Sequence, residues 1–301
     1  MGVHASAVST PRPDVLPVGA AGITLVLWSS GFVGVRAAGD DFSPGALALG
    51  RLIVAAVVLG LIVVARREPL PLLRDLPLIA LCGLLWLGAY SVLLNAAERR
   101  VDAGTAAMLV NVGPILIALL AGWLLAEGFP PTLFAGCAIA FGGVAVIGTS
   151  TSDGGGSGSL GVMFCLLAAL GYAGGVVTQK VVLRRASALQ TVFLACVTAA
   201  VACSWAVPSL AREAGSAPGS NIAWVVYLGV FPTAIGFMTW AYALARTKAG
   251  RLASTTYLVP AIAILIGWAL LGETPPALAF LGGAICLVGV AVARRPTLPR
   301  S

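Results

Sequence analysis

The chain has 301 residues, of which 59% are hydrophobic and only 10% charged, and its mean hydropathy is +1.01. Soluble domains carry about 25% charged residues, so no water-filled surroundings suit this chain and its solvent is lipid. The net charge of +7 is met by loop charges that set topology, and with no continuous soluble basic surface it gives no footing for nucleic-acid binding.

Residues 1–16 are rich in Pro, Ser and Val without periodicity and read as a disordered tail. They lack the basic n-region of a signal peptide. The only histidine, His4, lies there and reads as solvated. A membrane-crossing helix needs about 20 apolar residues. Ten candidates follow in chain order, at about 17–37, 44–65, 76–97, 104–126, 131–150, 160–180, 188–209, 221–244, 250–271 and 276–293. Their connections are short. The sequence TSDGGGSGS fills a flexible linker at 151–159, near the midpoint of the chain. It separates a first unit of five helices (17–150) from a second (160–293), and a short tail, 294–301, follows. Cys82, Cys137, Cys165, Cys196, Cys203 and Cys286 all fall inside apolar runs with no C-x-x-C pair, which suits small packing residues rather than disulfides or metal ligands.

The two units repeat. Pro114 precedes Glu127 by 13 residues, and Pro260 precedes Glu273 by 13. The same offset of 146 pairs Gly83 with Gly229, Arg100 with Arg246, Gly136 with Gly282 and Gly143 with Gly289. Such a run in one register argues for duplication. Five spans per unit is odd, so the second unit enters the membrane the other way up, an inverted-repeat arrangement used by transporters with a site near the midplane. Arg12, Arg66, Arg67, Arg74, Lys180, Arg184, Arg185, Arg246, Lys248, Arg251, Arg294, Arg295 and Arg300 then share one face, against Arg36, Arg99, Arg100 and Arg212 on the other. The imbalance puts both termini in the cytoplasm. The predicted fold class is therefore an all-α integral membrane protein of ten transmembrane helices in two inverted five-helix repeats.

Candidate site residues come from polar and helix-breaking positions in these spans. Pro114 and Pro260 each free a carbonyl one turn earlier, and read as matched hinges bordering a cavity. Three residues before them stand Asn111 and Tyr257, hydrogen-bonding side chains at equivalent places. Asn111 serves either as glue between helices or as a contact to substrate. Glu127 and Glu273 end their spans and read as boundary residues that cap a turn or a neighbouring helix. No other acid lies well inside a span, which argues against a carboxylate-driven exporter of cationic drugs. Arg51, the one cation well inside a span, either snorkels to the interface or faces an anionic group. Trp28 and Tyr172 lie in mid-span, where an interfacial belt does not explain them. With Trp86, Tyr90, Trp240 and Tyr257 they form the aromatic candidates of a cavity. Ser91 and Asn95, one turn apart, add a polar face. Pro232 and Gly236 interrupt the eighth span. The small-residue stripes Gly136, Ala140, Gly143 and Gly282, Cys286, Gly289 read as packing seams, either for a homodimer or to close each unit.

Together WSSGFVGVR (Trp28 to Arg36), Arg51, the N-x-x-P…W-L-L-x-E of Asn111 to Glu127 and the Y-x-x-P…W-A-L-L-G-E of Tyr257 to Glu273 resemble the drug/metabolite transporter superfamily in its ten-span form with two EamA-type repeats. The resemblance covers about residues 17 to 293. It implies a secondary transporter of amino acids, nucleobases or other small metabolites, usually an exporter, with spans 1–4 and 6–9 around a central cavity and spans 5 and 10 outside. Tyr172 stands where the family often has Trp, and the ninth span lacks the Asn of the fourth, so substrate does not follow from the resemblance. The expectation is a small polar solute bound among Trp28, Tyr90, Asn95, Asn111, Tyr172, Trp240 and Tyr257 and carried by alternating access hinged near Pro114 and Pro260. Its partners are that solute and the bilayer. No cofactor, metal or catalytic group is implied. A passive channel would need a continuous polar stripe; a drug efflux transporter of the same superfamily is the nearer alternative.

Overall fold

The computed structural model describes residues 15–39, 41–100, 109–151, 159–271 and 277–295. Every element among them is helical: α1 (Val15–Ala38), α2 (Pro44–Ala65), α3 (Leu76–Cys82), α4 (Tyr90–Glu98), α5 (Gly113–Leu124), α6 (Pro131–Thr151), α7 (Ser159–Val182), α8 (Ala188–Ala202), α9 (Val207–Ser216), α10 (Gly219–Leu228), α11 (Gly236–Arg246), α12 (Ala249–Ala253), α13 (Val259–Leu271) and α14 (Ala277–Ala293). Six stretches are long and apolar enough to cross a membrane: Val15–Val35, Pro44–Ala65, Leu73–Ala97, Ser159–Val182, Gly219–Arg246 and Ala249–Ile266. A seventh is the pair Ala188–Ala202 and Ser204–Ser216, bent by 55°. Gly113–Leu124, Pro131–Ile147 and Phe280–Ala293 are shorter apolar helices. The protein is thus a multi-pass membrane protein, and its outer surface agrees. Leu61, Val64, Leu170 and Leu287 are among the large apolar side chains left exposed, as lipid requires.

Local sequence explains several helix starts. Ser187 and Gln190 form a capping box at α8: the Ser187 hydroxyl accepts from the Gln190 N–H (3.1 Å) and the Gln190 side chain accepts from the Ser187 N–H (2.9 Å). Gln190 also donates to the carbonyl of Pro69 (2.5 Å), tying this turn to the end of the second span. At α2 the Ser43 N–H and hydroxyl both donate to Glu213 of α9 (2.8 and 3.0 Å), while Pro44 opens the helix.

Two spans change their winding in mid-course. Gly83–Ala89 joins α3 to α4, and Gly229–Ile235 joins α10 to α11; both are π-helical. These seven-residue stretches fall at the offset of 146 read in the sequence. A Cβ on Gly83 would collide with the backbone of Ala195 in α8, and one on Gly229 would lie 2.5 Å from the Cβ of Val54 in α2. Glycine at the head of each stretch therefore lets it rest on a neighbouring helix.

At Pro114 and Pro260, read in the sequence as matched hinges, the structure restarts the helix. α5 begins at Gly113 and α13 at Val259, so each proline occupies the first turn of a new helix, where its missing N–H leaves no bond unmade. Before α13 the chain runs as a 3₁₀ helix over Ser254–Leu258.

α6 and α14 pack along each other antiparallel. Gly136 lies against Ala293, Ala140 against Gly289, Gly143 against Cys286 and Gly282, and Ile147 against Gly282. A Cβ on Gly143 would be 2.6 Å from the carbonyl oxygen of Gly282, and one on Gly282 2.7 Å from that of Gly143. Small residues allow this backbone-to-backbone approach. Both small-residue stripes are thereby occupied within one chain.

Candidate functional site

A cavity of about 130 Å³ lies between the two units. From the first it takes Trp28, Phe32, Val35, Arg51, Trp86, Tyr90, Ser91, Leu94, Asn95, Val110 and Asn111; from the second Tyr172, Leu228, Pro232, Phe237, Thr256 and Val259. Equivalent positions of the repeat both line it, as Trp86 and Pro232, Ser91 and Phe237, and Val110 and Thr256 do. The π-helical stretches thus supply one lining residue each, Trp86 and Pro232.

α1 is stitched to the second unit along its length. Thr24 exchanges a hydrogen bond with Thr239 (2.8 Å), the Trp28 indole N–H donates to the carbonyl of Pro232 (3.2 Å), Ser29 donates to Val259 (3.1 Å), and Ser30 meets the Tyr227 hydroxyl (2.7 Å). A Cβ on Gly31 would meet the Pro232 ring at 3.5 Å. The WSSG sequence is accordingly a cross-unit contact strip, and Trp28 both lines the cavity and anchors to the opposite unit.

The floor is aromatic. Trp86 lies 5.8 Å from Trp28, 5.3 Å from Tyr172 and 4.7 Å from Phe237 between ring centroids, mostly tilted or edge-on, the arrangement ring quadrupoles favour. Tyr172 is held by Tyr90 at 5.9 Å and by its hydroxyl, 3.5 Å from that of Thr256. Glycines make room for these rings: Gly175 faces Trp86, Gly171 the carbonyl of Leu85, and a Cβ on Gly113 would sit 2.6 Å from the Tyr172 ring. Asn95 lines the cavity and donates to the carbonyl of Pro44 (3.1 Å).

Two of the residues singled out in the sequence do not reach the cavity. Trp240 is fully buried behind Trp28, 5.0 Å from it, and is backing rather than wall. Tyr257 is also fully buried and packs with Cys137, Cys286 and Val290 toward the α6–α14 seam. The 3₁₀ winding of Ser254–Leu258 is the reason. With three residues per turn in place of 3.6, Thr256 takes the cavity face and Tyr257 turns away. Phe237, Thr256 and Phe32 line the cavity without having stood out in the sequence; the offset of 146 from Ser91 was the available signal for Phe237.

Below the cavity the units are latched at the end bearing Lys180 and Lys248. The chain leaves α5 through Ala126 with φ of 54°. That turn swings Glu127 onto the start of α12, where it accepts from the N–H groups of Ala249 (2.7 Å) and Gly250 (3.3 Å). Within the second unit, Lys180 donates to the carbonyls of Leu244 (2.5 Å) and Thr247 (2.7 Å) at the end of α11. A carboxylate at a helix start and an ammonium at a helix end both complement the helix dipole. Glu273, the repeat mate of Glu127, lies outside the described residues.

The family model for the EamA-like transporter family matches residues 18–149 and again 159–295. The chain belongs to the EamA-like transporter family. It is a transporter by family, not an enzyme. A probable terminal-alkyne amino-acid exporter of Streptantibioticus cattleyicolor is 36% identical over 280 residues, covering 92% of this chain and 93% of that one. An uncharacterized transporter of Bacillus subtilis, YdfC, is 34% identical over 264 residues (88% and 86%). A probable amino-acid metabolite efflux pump of Escherichia coli is 24% identical over 278 residues (89% and 91%). A solved crystal structure superposes with a TM-score of 0.77 at 20% identity over 92% of this chain and 96% of that one, which establishes a shared fold.

Proposed function

We propose that this EamA-like transporter exports a small amino acid or similar polar metabolite across the cytoplasmic membrane by alternating access. In this reading the six long helices, the bent pair and the three shorter apolar helices are ten spans in two inverted repeats, with both termini cytoplasmic. The matched π-helical stretches, lining the cavity from opposite units, carry the reading. The α6–α14 seam supports it too: exchanging equivalent residues turns the Gly136–Ala293 contact into the Gly282–Ile147 contact. The Glu127 latch on α12 joins the two units on the side that this reading assigns to the cytoplasm.

Exporters of amino acids among the relatives favour that substrate class. Cavity size favours it over drug efflux, since about 130 Å³ falls below the ~300–1,000 Å³ of drug-sized sites. The test is counterflow of labelled apolar amino acids in proteoliposomes. Saturable exchange abolished by Asn111→Ala supports the assignment. Single-channel currents through the purified protein would replace it with a passive pore.

A further inference from the structure

Resting on the amino-acid reading above, we infer that the cavity recognises its substrate by the carboxylate, through Arg51, and does not require the ammonium. Arg51 is the only charged side chain among the described residues lining the cavity; none is Asp or Glu. It stands on α2 seven residues from Pro44, half-buried, with its Nε shielded from the surface. Its backbone is fixed where α2 meets the π-helical stretch of the opposite unit: a Cβ on Gly229 would lie 2.9 Å from the Arg51 carbonyl oxygen. A charge at this depth is retained where it serves a site. A guanidinium presents a planar fork of donors that matches a carboxylate in two parallel hydrogen bonds, which an ammonium does not reproduce.

The rest of the lining completes the specificity. Tyr90, Ser91, Asn95 and Asn111 are neutral polar groups on spans three and four, able to meet an amino, oxo or hydroxyl group alike. Trp28, Trp86, Tyr172 and Phe237 offer an apolar wall to a short unbranched side chain. Without a carboxylate among the described wall residues, a cationic amine finds no counter-charge there, whereas the carboxylate finds Arg51. The expected substrates are therefore 2-amino, 2-oxo and 2-hydroxy acids with compact apolar tails, and the corresponding amides and amines are rejected.

The test measures binding to detergent-purified protein by ligand-induced thermal shift and by quenching of tryptophan fluorescence, with L-norvaline, 2-oxopentanoate and L-norvalinamide as probes. Wild type is expected to bind the two acids within a few-fold of each other and the amide at least tenfold more weakly. Arg51→Gln weakens both acids at least tenfold and leaves the amide unchanged, so the discrimination collapses; Arg51→Lys falls between. A merely structural Arg51 would weaken all three probes alike. Equal binding of norvaline and norvalinamide by wild type overturns the inference, and needs no variant to fold. If norvaline still shows counterflow in that case, the amino-acid reading stands alone. If wild type neither binds nor exchanges norvaline, that reading fails first and this one with it.

Discussion

Trp28 shows how one side chain serves both packing and passage. Its ring is part of the cavity wall and its N–H is committed to the carbonyl of Pro232 in the other unit. Trp28→Phe keeps most of the ring and removes the bond, so the melting temperature in detergent should fall by the equivalent of about 1 kcal/mol. Trp28→Ala opens a void as well and should cost roughly 3–5 kcal/mol, with counterflow lost. Asn111→Ala should lower counterflow with little change in melting. If both retain full transport, the cavity is not the substrate site. Trp28, Tyr90, Asn95, Asn111 and Tyr172 were legible in the sequence because mid-span polar and aromatic residues need a reason to be there. Trp240 and Tyr257 satisfied the same criterion and lie outside the cavity lining, because burial among helices and exposure to a cavity look alike without a known winding. Thr256 was invisible for the converse reason: a threonine in an apolar span draws no notice until a 3₁₀ turn aims it.

At the level of elements, the breaks in winding do more than the unbroken helices. The π-helical stretch at Gly229–Ile235 contains Pro232, and its interruption could be read from that proline. Its mate at Gly83–Ala89 contains none and was legible only through the Gly83–Gly229 match. Gly83→Ala drives a methyl into the Ala195 backbone, and should destabilise by roughly 1–3 kcal/mol, read as a drop in melting temperature; Gly22→Ala, where a Cβ meets nothing, should not. The Glu127 latch makes a second prediction. Glu127→Ala leaves the Ala249 and Gly250 N–H groups without their cap and should cost about 1 kcal/mol. In a cysteine-free background, Ser254→Cys, fully buried in the latched state, should then react faster with a maleimide supplied from the cytoplasmic side. An unchanged rate would show that the latch does not hold this side shut. Glu127 could be read as a cap from its place at a span end; which helix start it reaches depends on the turn at Ala126, which no pattern announced.

For the molecule as a whole, hydropathy and the duplicated register made an all-helical, multi-pass membrane protein of two repeats legible in the sequence. They did so because lipid leaves few options for backbone hydrogen bonds. What they missed is helix continuity: the seventh span is bent, and the fourth and ninth are restarted at their prolines. A reporter fused after Arg300 should read cytoplasmic; an extracytoplasmic reading would sink the ten-span orientation. The proposed inverted symmetry makes a sharper demand. Gly136→Leu and Gly282→Leu occupy equivalent places on the α6–α14 seam, so they should lower yield and melting temperature by similar amounts. A large effect from one and none from the other would argue against a two-fold relation across the seam.

That seam also sets an order on biosynthesis. α6 presents Gly136 and Gly143 to residues that leave the ribosome roughly 140–160 positions later, so for about half of translation its small-residue face lacks this partner. The first unit, inserted alone, would offer that face to any other helix nearby. A chain stopped before Ala277 should therefore insert normally yet cross-link to foreign membrane proteins through α6, and co-expression of the missing helix as a separate piece should displace them.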